Sequence, residues 1–280
     1  MNLPLPWPFD REYMQLALVI GLIVGACAPL VGTFLVDKHL SLMGDGIGHL
    51  AFAGVAGGLL LSVSPIWTAL VGAVLGALAV EWLRARGNTS GDLALSLFFY
   101  GGIAGGAVLA SRAATDGITV NVVPYLFGSI LTVTTGDVWM VLAIGTLIVV
   151  SVALAHRAWF TIGIDQESAA VMGLPVRTLN GLLAVLTAVT IVAATRIVGV
   201  LLVAALMVLP VASARLLARS QVQTLLLSAV VGVVSVIFGL SAARIWGLAP
   251  GGTIVLVSAA IFGIVAVVRG STGGAPIGHH

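Results

Sequence analysis

The feature that most constrains this chain is the length of its uncharged apolar runs. No charged side chain interrupts Met14–Val36, Val138–Ala155, Val222–Ala243 or Pro250–Val268. A helix rises about 1.5 Å per residue, so about 20 apolar residues cross the hydrocarbon of a bilayer. Hydrocarbon offers no water to the backbone, so each run must satisfy its own N–H and C=O groups as a helix. Of the 280 residues, 60% are hydrophobic and only 8% charged, more apolar surface than a water-soluble core can bury. The expected fold is all-α: a polytopic membrane helix bundle of about eight or nine transmembrane helices. Residues 1–280 read as a single domain.

Nine segments are expected, at Tyr13–Val36, Ser41–Ser62, Pro65–Leu83, Asp92–Ser111, Asp137–His156, Thr178–Thr195, Ile197–Leu217, Val222–Ala243 and Pro250–Val268. Pro29 should kink the first. Only Arg196 separates the sixth from the seventh, so one of that pair is expected to be short or re-entrant. Thr115–Gly136 is less apolar. Its Asn121–Gly128 stretch reads either as a re-entrant cover over a pore entrance or as an ordinary interfacial loop-helix. The sole cysteine, Cys27, excludes an intrachain disulfide. The N-terminus lacks the pattern of a cleaved signal peptide, and Trp7 suits a membrane interface.

Charge orients the segments. Alternate connections place Lys38, Arg84, Arg86, Arg157, Arg177, Arg215, Arg219 and Arg269 on one side, and Arg11, Arg112, Arg196 and Arg244 on the other. The richer side is cytoplasmic by the positive-inside rule. The 157–177 loop and a flexible Gly-rich tail, 269–280, then lie in the cytoplasm. The net charge of +2 is scattered over segment ends and gives no nucleic-acid footprint. The glycine pairs Gly54/Gly58, Gly72/Gly76 and Gly101/Gly105 are expected to pack helices closely.

Asp45 and His49 stand out in Gly44–Gly57, a run otherwise apolar or glycine. On a helix they share a face, their Cβ atoms roughly 5–6 Å apart. Ionisable groups inside a membrane span are costly and mark functional sites by default. A carboxylate beside an imidazole suits Zn²⁺, with Mn²⁺ and Fe²⁺ also accommodated. The competing reading is a buried Asp–His pair tying helices together. Glu81 is expected to pair with Arg84 or Arg86. Asp92 and Arg196 read as structural, and His279 and His280 as part of the loose tail.

In the long cytoplasmic loop, Asp165–Pro175 reads as a short helix, with Asp165 as N-cap, Gly173 ending it and Pro175 stopping it. Its Ala169, Ala170, Val171, Met172, Gly173 and Leu174 form a small or apolar face that suits docking to another protein. Packing on the chain's own bundle is the alternative. The only lysine, Lys38, follows no G-x-x-x-x-G-K-[ST] pattern, and no nucleophile elbow, zinc-protease helix or cysteine cluster appears. The chain reads as a non-enzyme whose energy source lies elsewhere.

Four stretches in order carry a family resemblance: Asp37–Asp45 running into Gly48–Ala56, Tyr125–Leu131, Arg196–Leu202 continued by Leu209–Arg215, and Ala249–Gly252. Together they resemble the permease subunits of bacterial ABC importers for zinc and manganese, the ABC-3 family, over nearly the whole chain. The resemblance implies a homodimer in the bacterial inner membrane, a separate cytoplasmic ATP-binding subunit and an extracytoplasmic metal-binding protein. It also implies a metal path past Asp45 and His49, and a coupling role for the 169–174 face. It implies no permanently bound cofactor, only a transported divalent metal. Some manganese members carry an acidic or His residue before the Leu-Phe-Gly motif. Here that place reads Val123-Pro124-Tyr125, which points to zinc, with manganese or iron as alternatives. An ion-coupled secondary transporter, a vitamin or iron-chelate permease and a non-transporting membrane scaffold are the rival readings.

Overall fold

The computed structural model describes residues 7–86, 91–116, 123–129, 133–195, 197–200 and 202–271. They form eleven helices: α1 (Glu12–Asp37), α2 (Met43–Leu60), α3 (Pro65–Ala85), α4 (Gly91–Thr115), α5 (Val123–Phe127), α6 (Thr135–Ile164), α7 (Gln166–Val171), α8 (Val176–Ala194), α9 (Val203–Leu217), α10 (Gln221–Trp246) and α11 (Pro250–Ser271). Among the described residues, seven helices are long and apolar enough to cross a membrane: α1, α3, α4, α6, α8, α10 and α11. Helix α9 is apolar but shorter. Helix α2 has 18 residues and is diluted by Asp45, His49 and six glycines. The chain is a multi-pass helical membrane bundle, and each of the nine expected segments corresponds to a helix.

Local chemistry sets the helix ends. The Thr134 hydroxyl accepts from the Asp137 N–H at 3.3 Å while the Asp137 carboxylate accepts from the Thr134 N–H at 2.9 Å, a reciprocal capping box. Ser220 caps α10 by accepting from the Gln223 N–H. Pro65 and Pro250 open α3 and α11, where the missing N–H costs nothing.

Two boundaries depart from expectation. Helix α6 runs on to Ile164 rather than stopping at His156. Arg157 faces outward, while Trp159, two residues on, is fully buried; its indole N–H donates to the Leu179 carbonyl at 2.9 Å and its ring lies 5.2 Å from Phe34. The expected seventh segment loses its first turns. Ile197 and Val198 are fully buried yet irregular, and Gly199 has φ +83°, a left-handed conformation that ends helical continuation.

Helices α1 and α8 are the most buried spans. Helix α1 packs against α6, α8, α9 and α10, and α8 against α1, α2, α3 and α6. Helix α2 lies chiefly between α3 and α4, while α9, α10 and α11 pack together on the other side of α1. Pro29 sits inside α1 and has no N–H, so the Gly25 carbonyl lacks its usual helical donor. Gly232 of α10 lies directly against that carbonyl, where any side chain would collide.

The glycine pairs divide. Gly54 and Gly58 lie against Thr68 and Ala69 of α3, and Gly72 and Gly76 against Leu50 of α2, as expected of packing positions. Gly101 and Gly105 are a correction: no atom of another helix approaches the place of their missing Cβ atoms. The packing glycines of α4 are the next residues along, Gly102 and Gly106. A Cβ at Gly102 would lie 2.7 Å from the His49 carbonyl carbon, and one at Gly106 would meet the Phe52 ring. Two glycine stripes run along α4 one residue apart, and spacing alone does not say which faces inward. Gly102→Leu should therefore reduce folded protein in membranes and lower the melting temperature, overpacking of this kind costing about 1–3 kcal/mol. Gly101→Leu should leave both unchanged; equal effects in detergent thermal-shift assays would contradict this placement.

Candidate functional site

The site begins where α1 ends. Lys38 caps the helix, the His39 N–H donates to the Val36 carbonyl at 3.1 Å, and the Leu40 N–H reaches back to Leu35 at 2.8 Å. This is a Schellman closure, with His39 at the position of positive φ, +57°. The Met43 N–H then donates to the Leu40 carbonyl at 2.9 Å and α2 starts. Asp45 falls in its first turn and His49 one turn later.

A cavity of about 380 Å³ lies between this junction and α4, lined by His39, Ser41, Asp45, Ser96, Phe99 and Tyr100 together with three leucines. The Asp45 carboxylate is half-buried and carries no ion pair or hydrogen bond among the described residues. His49 does not line the cavity. Its ring meets Phe99 edge-on at 4.5 Å, and its Nδ1 is buried with no hydrogen-bond partner among the described residues. Asp45 and His49 thus share α2 but, among the described residues, make no hydrogen bond or ion pair to each other or to a neighbouring helix, the edge-on contact of His49 with Phe99 of α4 apart. Two polar groups are left uncommitted where unsatisfied polar atoms are costly.

The backbone of α2 is gripped at this level. Gly102 of α4 abuts His49, and a Cβ at Gly48 would lie 3.1 Å from the Val200 carbonyl oxygen. Val200 belongs to the irregular stretch after α8, where three of the sequence motifs converge. The Val200 N–H donates to the Tyr125 carbonyl at 2.9 Å. Gly128, φ +77°, lies against the Ile197 carbonyl, Gly199 against Leu126, and Gly251 against Val198 and Phe127. Helix α5 touches α2 and α11, so Tyr125–Gly128 packs onto the bundle.

At the opposite end of α8, α7 forms as expected. The Asp165 carboxylate accepts from the Glu167 and Ser168 N–H groups at 2.9 and 3.2 Å. The Ser168 hydroxyl, then those backbone donors, hold its carboxyl below the usual range. Gly173 ends the turn at φ +83° and Pro175 precedes α8. Val171 is 90% and Met172 74% exposed, and Ala170 and Gly173 are also exposed. Ala169 is buried in the chain itself and Leu174 half-buried. Only part of the 169–174 face is open to a partner.

Further charges act near that end, some within α3 and some between helices. Arg84 pairs with Glu81 at 2.9 Å, and Arg86 lies 3.7 Å above the Trp82 ring. Asp37 pairs with Arg215 and accepts from Gln221 at 2.7 Å, joining α1 to α9 and α10. Lys38 donates to Asn180 of α8. The sequence signalled neither of these last two links, nor the cavity residues His39, Ser41, Ser96 and Tyr100, because no local pattern connects loop 38–42 with α4, α8 or α10. The side chain of Asp92, and Arg196, His279 and His280, lie outside the described residues. Among the described residues no three His, Cys, Asp or Glu side chains converge on one point.

Comparisons with known proteins add the following. The model of a family described as the ABC 3 transport family matches residues 10–269. The chain is 32% identical over 253 residues to the manganese transport system membrane protein MntC of Halalkalibacterium halodurans, covering 90% of this chain and 86% of that one. It is 30% identical to the manganese import system permease protein ScaB of Streptococcus gordonii, covering 90% of each. A solved structure of PsaBC from Streptococcus pneumoniae in complex with Fab matches with a TM-score of 0.80 at 29% identity, over 91% of each chain.

The buried Lys38 makes a pH prediction. Burial, only partly offset by Glu81, lowers its ammonium from 10.5 to about 8. Between those values the unfolded chain binds more protons than the folded one, so stability rises as pH climbs from about 8 to 10.5. Lys38→Met should flatten that part of a melting-temperature-against-pH curve; an unchanged slope would show that Lys38 does not titrate there.

Proposed function

The chain belongs to the ABC 3 transport family, and from that premise we propose that it is the membrane permease of an ATP-driven importer for divalent metal ions. It is a multi-pass integral membrane protein of the bacterial inner membrane. The observation that carries the reading is the Asp45–His49 pair on α2, without hydrogen bonds from the described residues to the Asp45 carboxylate or the His49 Nδ1, with Asp45 in the wall of a cavity.

The pair suits a transit site. Asp45 offers a hard anionic oxygen and His49 an imidazole nitrogen with no competing hydrogen bond, a donor set that accepts several first-row divalent ions. Two ligands leave the coordination sphere open, so the ion can move on, whereas four would hold it. Asp45 also stands in the first turn of α2, where the positive end of the helix stabilises a carboxylate and weakens its hold on a cation.

Energy enters elsewhere. With no phosphate loop in this chain, a separate ATP-binding subunit must hydrolyse ATP. The exposed Ala170–Met172 surface of α7 offers that subunit a rigid apolar foothold. Helix α7 leads through Pro175 directly into α8, which packs against α1 and α2. Movement of α7 thereby reaches the helix bearing Asp45 and His49 through packed helices, the kind of rigid-element coupling that alternates access. A second copy of this chain would complete the pathway, and an extracytoplasmic binding protein would deliver the ion.

Manganese comes first among the cargoes, because relatives similar over 90% of this chain bear that name. Zinc is the second reading, from Val123-Pro124-Tyr125 ahead of Leu126-Phe127-Gly128.

The test is metal accumulation, measured for several elements at once by mass spectrometry. Cells lacking their own importers would express this chain with its ATPase and binding protein. Wild type should accumulate one divalent metal selectively, and Asp45→Ala and His49→Ala at equal membrane abundance should each lose most of that gain. Uptake indifferent to both variants would refute the ligand role. In a separate measurement, Val171→Asp with Met172→Asp should abolish co-purification of the ATPase without reducing membrane abundance. Retained co-purification would move the coupling contact away from α7.

A further inference from the structure

The cavity beside Asp45 has a second nitrogen donor at its rim, His39, and its placement costs the fold something. His39 occupies the left-handed position of the Schellman closure at φ +57°. Glycine fits that position without strain, whereas a Cβ atom crowds the following carbonyl there. The local electrostatic neighbour of His39 is the Asp37 carboxylate. His39 is exposed and its imidazole makes no hydrogen bond among the described residues. The nearest acid, Asp37, is already engaged by Arg215 and Gln221. What the imidazole does share is the cavity, with Asp45 deeper in and the hydroxyls of Ser41, Ser96 and Tyr100 on its wall. About 380 Å³ holds a cation with a hydration shell, each water taking about 30 Å³.

We propose that His39 is a further ligand for the transported divalent cation, a release station between Asp45 and the cytoplasm. This rests on the transport reading above. The cation leaves Asp45 partly hydrated, with the wall hydroxyls as weak neutral donors, and meets an exposed imidazole that water readily displaces. Because His39 acts after capture, it governs how fast the ion leaves rather than how tightly the importer takes it from outside.

The conformational argument supplies a clean variant. His39→Gly removes the imidazole while relieving the backbone, and His39→Asn tolerates the left-handed conformation and keeps an oxygen donor. Manganese uptake would be measured over a range of external concentrations in cells carrying the complete importer, alongside Asp45→Ala, with thermal stability of each purified protein. His39→Gly should melt no lower than wild type, yet maximal uptake should fall about tenfold, the lower end of what supporting residues at metal sites contribute. The half-saturating manganese concentration should not change, and His39→Asn should retain most of the rate. Wild-type uptake by His39→Gly, with Asp45→Ala inactive, would overturn the role of His39 and leave the transport reading standing. A lower melting temperature for His39→Gly would also overturn it, by making His39 a structural cap. Full uptake by Asp45→Ala would remove the Asp45 transit site on which this proposal rests.

Discussion

Close backbone approach is the interaction on which this bundle depends. In hydrocarbon there is no hydrophobic drive to push helices together, so packing contacts and the few available polar contacts must hold them. Helix α2 shows the consequence. Its backbone meets α3 at Gly54 and Gly58, α4 at Gly102 and Gly106, and the Ile197–Val200 stretch at Gly48. The contacts that place Asp45 and His49 are thus between main chains, with little freedom to slide. The same holds across the bundle, where Gly232 of α10 closes on the carbonyl that Pro29 leaves without a donor in α1. The packing of Tyr125–Gly128 obeys the rule as well, through Gly128, Gly199 and Gly251.

Against that apolar background the polar groups sort into two kinds. Those around the junction of α1 and α2 are committed: Asp37 to Arg215 and Gln221, Lys38 to Asn180. They tie α1 to α8, α9 and α10 around the start of α2. Asp45, the buried Nδ1 of His49 and the exposed ring of His39 are uncommitted. A protein that transports an ion needs this division, because a ligand already satisfied by the protein has nothing to offer a passing cation. The short α7 leads through Pro175 into α8, which packs against α1, α2, α3 and α6.

Much of this was legible in order along the chain. Apolar run length gives the helices, because hydrocarbon leaves the backbone no alternative. Asp165, Gly173 and Pro175 mark α7 because caps and stops act within a few residues. Arg196 in a continuous apolar run signalled that one of the sixth and seventh segments is short, and the left-handed Gly199 makes it the seventh. Spacing put Asp45 and His49 on one helix, and it also proposed Gly101/Gly105 where Gly102/Gly106 do the packing. Period alone does not tell which of two adjacent stripes faces a neighbour, and α6 outran its expected end because a buried Trp159 outweighed an outward-facing Arg157.

The sequence by itself determined that the chain is a membrane bundle, which of its helices carries ionisable groups, and where the short helix α7 forms. Each of these is a property of neighbours within one or two turns, or of the solvent a run of residues can tolerate. Only the tertiary structure decided that Asp45 and His49 make no hydrogen bond or ion pair among the described residues, that Ala169 is buried while Val171 and Met172 are exposed, and that His39 and Asp45 line one cavity. Those outcomes depend on which helix faces which. That choice is made by contacts between residues far apart in the chain, for which local spacing carries no record.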